Sequence, residues 1–289
     1  MNHDPAPVVS VVVVAYRTRD LVLRCLRTVY ERGGVPLEVI LVDNASGDGT
    51  VEAVRDAFPQ VTVVANTENV GFPRACNQAL RVARGRYILY LNSDAFIGEG
   101  TLARCVQELE SDPEVGIVGC RLVLPDGRTQ LEGGRNTYAL RHLAAELLYL
   151  HMFFPRSRLW GHHLIGWWDH ADNRDVEAVS GAFLLARRSV IDAVGGLPEL
   201  FPFGHEDLSF CLRVRRLRWR IRYIGEVETL HLTNQSLRSS GISFHRDEGP
   251  IKVQLIREAQ GDVAAALARV LFALRSLLRI PLGLAGLLL

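Results

Sequence analysis

Runs of apolar residues and segments with one apolar side alternate along the first hundred residues. VVSVVVVAY (8–16) is a continuous β-branched run, typical of a strand buried on both faces of a parallel sheet. The following segment, from Asp20 to about residue 31, has a broad apolar side and stops at a glycine pair, which predicts a helix. The rhythm then repeats, with strand-like runs at 37–43, 61–66 and 86–91 and helix-like runs at 50–58 and 73–83. The pattern predicts an α/β fold with a doubly wound, Rossmann-like, mostly parallel sheet flanked by helices.

The alternation weakens after residue 101. A helix to about residue 109, a strand at 115–120, an irregular stretch to about 177, a strand within 176–188, helices at 188–194 and 207–216 and an edge strand at 218–224 are predicted. Within the irregular stretch, 159–170 (LWGHHLIGWWDH) is rich in tryptophan and histidine. It is open whether this cluster is a lid over a bound acceptor or lipid, or an ordinary hydrophobic cluster.

The C-terminal segment 263–289 is apolar and carries basic but no acidic residues. Arg275, Arg279 and Pro281 interrupt the roughly 20 apolar residues that a membrane span needs. The pattern favours an amphipathic helix lying on a membrane surface. A helix packed on protein and a tilted span are the alternatives.

The bulk composition excludes few classes. The net charge of +1 argues against a protein that binds polyanions over its whole surface, and RVRRLRWRIR (213–222) alternates apolar and basic positions, as a strand with a solvated face does. We therefore expect no nucleic-acid partner. Five scattered cysteines favour reduced structural thiols, and the N-terminal residues show no secretory pattern, so a cytoplasmic location is expected.

Small polar residues follow three of the predicted strands. Tyr16 follows the first strand, Asp43 ends the second, and Asn92, Ser93 and Asp94 end the fourth. Ligands of doubly wound sheets bind at the carboxyl ends of the strands, so these side chains are expected to line one rim.

Six segments in this order resemble glycosyltransferase family 2, the inverting nucleotide-sugar enzymes of the GT-A fold, and in particular its bacterial rhamnosyltransferase-like branch. They are VSVVVVAYRTRD, LVDNASGDGT, ENVGFPRACNQAL, YLNSDA, SGAFLLARR with GGLPELFPFGHEDLSFCLR, and HLTNQS. The resemblance covers residues 8 to about 237. It implies a GT-A domain over 1–250, with a nucleotide-binding half (1–100) and an acceptor and catalytic half (101–250), followed by a helical tail over 251–289.

The resemblance also implies roles for individual residues. The donor-binding set is Ala15, Tyr16, Asp43, Asn69, Gly71, Arg74, Asn92, Ser93 and Asp94. Asn92 to Asp94 match the family's two-acid DxD motif, which binds a divalent metal, Mg²⁺ or Mn²⁺, on the donor's diphosphate. Asn92 replaces the first acid, so a metal held more loosely than by two aspartates is expected. His231 matches the histidine that often completes this metal site.

HEDLSFCLR matches the family's ED motif, whose aspartate is the usual general base, so Asp207 is the expected base. Glu206 is expected to support it or to bind the acceptor, although acids at a helix start are commonly capping residues. Many relatives carry a second acid where this chain has Ser209. Gly181, with Ala182, is expected to let the acceptor and donor sugar approach closely.

The resemblance thus predicts an inverting transfer of a sugar, rhamnose being the leading candidate, from a dTDP or UDP donor to a hydroxyl of a glycan or polyprenyl-linked acceptor. Cell-surface polysaccharide synthesis at the inner face of the membrane is the expected setting. A non-catalytic nucleotide-sugar-binding or scaffold protein is the alternative. A nucleotidyltransferase is disfavoured because AYRTRD lacks glycine in the loop after the first strand.

Overall fold

A computed structural model describes residues 7–161, 163–201, 204–233 and 248–286, with the side chains of 248 and 275–286 left out. The chain divides into two compact units. The first comprises Met1–Arg135 and His170–Ser243, and the second comprises Asn136–Asp169 and Phe244–Leu289. The second unit resumes close to the expected tail boundary at residue 250. The sequence did not predict that 136–169 belongs to the same unit as the C-terminal helices.

The first unit contains all the strands of the described chain. These are β1 (Val9–Ala15), β2 (Leu37–Asp43), β3 (Thr62–Ala65), β4 (Tyr87–Asn92), β5 (Ala95–Ile97), β6 (Val115–Val123), β7 (Thr129–Gln130), β8 (Gly134–Arg135), β9 (Arg174–Asp175), β10 (Ala178–Val179), β11 (Phe183–Arg187) and β12 (Arg220–His231). Its helices are α1 (Arg19–Arg32), α2 (Thr50–Ala57), α3 (Phe72–Ala79), α4 (Thr101–Ser111), a 3₁₀ turn (Leu131–Gly133), α7 (Arg188–Val194) and α8 (Glu206–Arg216).

Ten strands of the described chain form one sheet, whose main path runs β3-β2-β1-β4-β11-β6-β12-β5. The strands β3, β2, β1 and β4 pair in parallel, and β12 is parallel to β6, while β11 runs antiparallel to both of its neighbours. Every residue of β1 is buried, as its β-branched run predicts. The predicted α/β fold with a mostly parallel sheet is therefore confirmed.

The prediction of an edge strand at 218–224 was wrong. The strand β12 is twelve residues long and pairs with β6 on one side, while β9 and β5 pair with parts of its other side. Arg220 and Arg222 do not form a merely solvated face, because both contact Asp175, at 2.8 and 3.2 Å, and Arg222 also contacts Glu108 at 3.2 Å. The alternating pattern of the sequence is real, but acids from α4 and β9 cover its basic side.

The second unit is helical and contains α5 (Leu140–Leu147), α6 (Leu150–Phe153), α9 (Glu248–Gln260) and α10 (Asp262–Gly286). The helices α9 and α10 pack together, and α10 also packs on α5. Lys252 of α9 forms an ion pair with Glu146 of α5 at 2.9 Å. Within the described ranges, no helix is long and apolar enough to cross a membrane.

The five cysteines are buried and form no disulfide, which confirms the prediction of structural thiols. They are Cys25, Cys76, Cys105, Cys120 and Cys211.

Candidate active site

The ends of β1, β2 and β4 meet as the sequence predicts. Ala15 pairs with Asp43, and Val14 pairs with Asn92 on the other side of β1. Just beyond the strands, the N–H of Asn44 donates to the carbonyl of Ala15 at 2.8 Å. Tyr16 therefore leaves the sheet beside Asp43, and the three strand ends form one continuous rim.

Asp43 is buried at this rim, with 5% of its surface exposed. Its Oδ2 accepts a hydrogen bond from the N–H of Ser46 at 3.1 Å. Its Oδ1 is buried and has no hydrogen-bond partner among the described residues. An unpartnered buried carboxylate oxygen is costly, so this atom is suited to accept an N–H or O–H from a ligand.

Asn44 holds the loop that joins β3 to α3. Its Nδ2 donates to Asn69 Oδ1 at 2.9 Å, and its Oδ1 accepts from Asn66 Nδ2 at 3.0 Å and from the N–H of Val70 at 3.2 Å. Asn69 also accepts from the N–H of Gly71 at 3.0 Å, so its side-chain oxygen serves the loop itself. Asn44 was not among the predicted site residues, although it lies in the polar stretch after β2.

Gly71 ends this loop and is the N-cap of α3, with φ +85° and ψ 161°. Residues with a Cβ rarely adopt this conformation, so the backbone requirement is sufficient to explain the glycine. Arg74 lies on the first turn of α3 with an exposed side chain. Its guanidinium is therefore accessible to a ligand in solution.

Asn92, Asp94 and His231 come together where β4 meets the end of β12. The Nε2 atom of His231 lies 3.3 Å from Asp94 Oδ1 and 3.3 Å from Asn92 Nδ2. Its other ring nitrogen, Nδ1, lies 2.8 Å from Gln130 Oε1 on β7. Gln130 thereby fixes the ring orientation, and no sequence pattern pointed to it.

This trio fits a divalent cation as a partial ligand set. Two ligands of an octahedral Mg²⁺ or Mn²⁺ ion, each about 2.1 Å from the metal, lie about 3 Å apart, close to the observed Asp94–His231 separation. Among the described residues, no group of three or more histidine, cysteine, aspartate or glutamate side chains could hold a metal. A cation bound here would need further oxygen ligands, such as those of a diphosphate and water.

Ser93 lies between these residues and connects the rim to the start of α1. The hydroxyl of Thr18 donates to Ser93 Oγ at 3.2 Å, and both side chains are buried. The predicted donor residue Ser93 is therefore part of a packed contact that fixes the β4 end against the β1–α1 loop.

Glu206 and Asp207 begin α8, and both are buried. Asp207 Oδ2 accepts a hydrogen bond from Arg135 Nη2 at 2.7 Å and from the N–H of Gly181 at 3.0 Å. Arg135 lies on β8 and is itself 8% exposed, so this is a buried ion pair. No local pattern pointed to Arg135, because it follows two glycines in the irregular stretch.

The neighbouring carboxyl of Glu206 has a different environment. Burial, reinforced by the negative charge of Asp207, raises the pKa of Glu206 to about 8. Its Oε2 is buried and has no hydrogen-bond partner in the described part of the chain. At neutral pH Glu206 is therefore mostly protonated and can donate a hydrogen bond.

The prediction that Gly181 lets the acceptor and donor sugar approach closely stays a prediction, and the structure shows the protein groups around this glycine. A Cβ at this position would lie 3.6 Å from Asp207 Cβ and 3.6 Å from Glu206 Oε1, which are ordinary contacts. The described side chains therefore do not require a glycine for close approach. The contribution of Gly181 to the site is its backbone N–H, which orients Asp207.

A backbone contact joins the two halves of the site. The N–H of Asn92 donates to the carbonyl of Ala182 at 3.2 Å, directly after Gly181. The N–H of Leu232 donates to the carbonyl of Asp94 at 3.0 Å. The acid at the end of β4 and the carboxyl pair on α8 are thus held to the same end of the sheet.

The cluster at 159–170 separates into buried and exposed members. Trp168 is buried, and His170 is buried with Nε2 2.9 Å from the carbonyl of Gly134, whereas Trp160 is 41% exposed. The ring of His163 packs edge-on against the ring of Tyr138, with 5.3 Å between the two ring centres. These histidines have packing roles, and His162 lies outside the described residues.

Comparison with known proteins decides the family. The family model described as "Glycosyl transferase family 2" matches residues 10–167, more than half of the chain. This protein belongs to glycosyl transferase family 2. The segments quoted above had indicated this family, and the protein is accordingly a glycosyltransferase enzyme.

Individual proteins are similar to this one over most of its length. An N-acetylglucosaminyl-diphospho-decaprenol L-rhamnosyltransferase of Mycobacterium tuberculosis is 26% identical over 247 residues, which cover 79% of this chain and 76% of that protein. A hyaluronan synthase of Pasteurella multocida is 30% identical over 249 residues, which cover 83% of this chain and 24% of that protein.

Solved structures share the fold. A mannosyltransferase from Pyrobaculum calidifontis in complex with GDP-Man and Mn²⁺ aligns with a TM-score of 0.56 at 24% identity, covering 94% of this chain and 74% of that chain. The GT-A fold expected for a family 2 enzyme is thus confirmed.

Proposed function

We propose that this enzyme transfers a sugar, with inversion at the anomeric carbon, from a nucleoside-diphosphate donor to a hydroxyl of a glycan or lipid-linked glycan in cell-surface polysaccharide synthesis. The observation that carries the proposal is the placement of Asp94 and His231 at the same end of the sheet as the ion-paired Asp207. A cation-binding pair beside a buried base is the arrangement that displacement of a diphosphate requires. The resemblance to a rhamnosyltransferase supports a dTDP or UDP donor carrying rhamnose.

The nucleoside is assigned to the rim formed by β1 and β2. Tyr16 offers an aromatic face, and the unpartnered Oδ1 of Asp43 offers a buried acceptor for an N–H of the base or a hydroxyl of the ribose. Gly71 ends the loop braced by Asn44, and Arg74 follows on the first turn of α3, where its exposed guanidinium is suited to the diphosphate.

The diphosphate is assigned to the end of β4. Asp94 and His231 would hold a Mg²⁺ or Mn²⁺ ion there, with Asn92 as a neutral third group, and the structure with GDP-Man and Mn²⁺ supports a divalent metal. Such an ion supplies positive charge that stabilises a leaving diphosphate. Gln130 holds the His231 ring through Nδ1 and so leaves Nε2 directed toward Asp94.

Asp207 is assigned as the base that takes the proton of the acceptor hydroxyl. A carboxylate has about four acceptor sites, and Arg135, Gly181 and the N–H of Leu208 use three of them. The remaining site can accept the proton of a hydroxyl. Glu206 is mostly protonated at neutral pH and is therefore suited to donate a hydrogen bond to the acceptor rather than to act as the base.

We assign the acceptor to a membrane, which the enzyme would contact through α10. This helix buries the small side chains Ala265 and Ala268 and exposes Val263, Leu267, Val270 and Leu274 by 50 to 78%. The exposed residues follow the i, i+4, i+7, i+11 spacing of one helix face, which suits a helix lying on a membrane surface. A location at the inner face of the cell membrane is part of the proposal.

The test is a panel of nucleotide sugars assayed for donor hydrolysis and for transfer, with Mn²⁺, with Mg²⁺ and with a chelator. We expect turnover of a dTDP or UDP sugar that the chelator abolishes. Asp207→Asn should abolish transfer, and Asp94→Asn should weaken Mn²⁺ binding measured by calorimetry in the presence of the nucleoside diphosphate. Failure to turn over any donor, with Mn²⁺ binding unchanged by Asp94→Asn, would support the scaffold alternative.

A further inference from the structure

The second unit exposes a dense run of large apolar side chains, here called the apolar segment, over residues 148–160. Exposed fractions in this run range from 41% for Trp160 to 76% for Phe153. The exposed members are Leu148, Tyr149, Met152, Phe153, Phe154, Leu159 and Trp160. Single exposed apolar residues are ordinary, but a contiguous group of this density marks an interaction surface.

Several backbone N–H groups of the apolar segment are paired within the segment itself. The N–H groups of Met152, Phe154, Ser157 and Gly161 donate to carbonyls three or four residues earlier, at 2.8 to 3.0 Å. The N–H groups of 159 and 160 donate to the hydroxyl of Ser157 at 3.2 and 3.1 Å. Each paired N–H lowers the cost of moving the segment toward an apolar phase.

The charge of the apolar segment has one sign. No acidic residue occurs between Glu146 and Asp169, whereas Arg156 and Arg158 are both exposed. The guanidinium of Arg158 lies 4.4 Å from the ring centre of Trp167, which leaves Arg156 as the residue to vary without disturbing that contact. Exposed arginines beside exposed aromatic residues are the combination that binds anionic lipid headgroups.

We propose that residues 148–160 dock on an anionic phospholipid surface, as a membrane contact additional to α10. Tyr149 and Trp160 stand at the two ends of the segment and flank the apolar Met152, Phe153 and Phe154. Their amphipathic rings suit the headgroup level, while the middle residues enter the acyl boundary. The proposal rests on the proposed function for the source of the acceptor, which the membrane would present to the enzyme.

The test measures sedimentation of the full chain with vesicles of phosphatidylglycerol and phosphatidylcholine, and with vesicles of phosphatidylcholine alone. We expect binding to the anionic vesicles, weakened by added salt and by Arg156→Glu. The double variant Met152→Ser/Phe153→Ser should lower the partition coefficient about tenfold or more, because two side chains no longer enter the acyl boundary. The matched control is Val82→Ser/Leu217→Ser, which removes two exposed apolar side chains from the first unit and should bind as the unchanged chain does.

Two further arms separate the alternatives. Val263→Ser/Leu267→Ser tests α10, and binding that this variant abolishes but Met152→Ser/Phe153→Ser leaves intact would overturn the proposal. Sedimentation velocity tests whether a second copy of this protein covers the apolar segment instead of a lipid surface. If the unchanged protein self-associates but does not bind vesicles, and Met152→Ser/Phe153→Ser abolishes the self-association, the proposal would also be overturned. Equal binding to vesicles of phosphatidylcholine alone would refute the proposed preference for an anionic lipid.

Donor hydrolysis without vesicles is measured on the same variants and should not change. If neither the unchanged protein nor any variant hydrolyses a donor, this result would count against the proposed function. The vesicle measurements would still decide whether residues 148–160 dock on the lipid surface.

Discussion

Replacing Glu206 with glutamine tests the electrostatics of the carboxyl pair on α8. The substitution keeps the shape of the side chain and removes its ability to ionise. Burial and the adjacent Asp207 raise the pKa of Glu206 to about 8, from an ordinary value of 4.5. In the unfolded chain Glu206 ionises near its ordinary pKa, whereas in the folded chain it holds its proton until the pH approaches 8.

The sign and size of the effect follow from this difference. Between pH 4.5 and 8 the folded protein binds more protons than the unfolded chain, so Glu206 lowers the free energy of unfolding as the pH rises. Its contribution is fully present below pH 4.5 and lost above pH 8. Each pKa unit corresponds to about 1.4 kcal/mol, which makes the total loss over the shift from 4.5 to about 8 on the order of 5 kcal/mol.

The assay is urea unfolding of the unchanged protein and of Glu206→Gln at pH 5.5 and pH 9, followed by tryptophan fluorescence. We expect Glu206→Gln to be the more stable chain at pH 9 and to lose most of this advantage at pH 5.5. Glu52→Gln, on the exposed side of α2, is the matched control and should change little at either pH. A stability difference between Glu206→Gln and the unchanged protein that is the same at both pH values would refute the reasoning.

Three further predictions concern residues around the site. Arg135→Met should lower kcat about a hundredfold with little change in the donor KM, because the proposed base Asp207 loses its orienting partner. Recovery of kcat in Arg135→Lys would support a positioning role for Arg135. A rise in the donor KM as large as the fall in kcat would contradict it. Asn92→Asp should tighten Mn²⁺ binding, measured by calorimetry with the nucleoside diphosphate, because it adds a second carboxylate; unchanged affinity would place the metal elsewhere. Gly71→Ala should destabilise the protein by about 1 to 3 kcal/mol in urea unfolding, because φ is +85°; a neutral result would show that the loop can relax.

The sequence determined the sheet more fully than the surroundings of the site. The β-branched run of β1 and the repeated strand and helix patterns before residue 100 predicted the parallel half, since a strand buried on both faces has a composition of its own. The position of β12 could not be predicted in this way. Its alternating basic residues match a solvated edge, and only the fold brings Asp175 and Asp112 onto them.

The same division holds within the candidate site. Asp43, Asn92 and Asp94 could be placed from the sequence alone, because the carboxyl ends of neighbouring parallel strands must meet. The partners of the predicted residues could not. Arg135 lies 72 residues from Asp207, and Gln130 lies 101 residues from His231.

Local patterns record which face of an element is buried, and so the sequence by itself determined the longer strands, most helices and the acids at the strand ends, but not the strands of two or three residues. Tertiary structure decided which distant side chain reaches each acid. That contact depends on how helices and strands that are distant in the sequence pack together, and no periodicity within one element encodes it. The raised pKa of Glu206 is of the same kind, because it arises from burial beside Asp207.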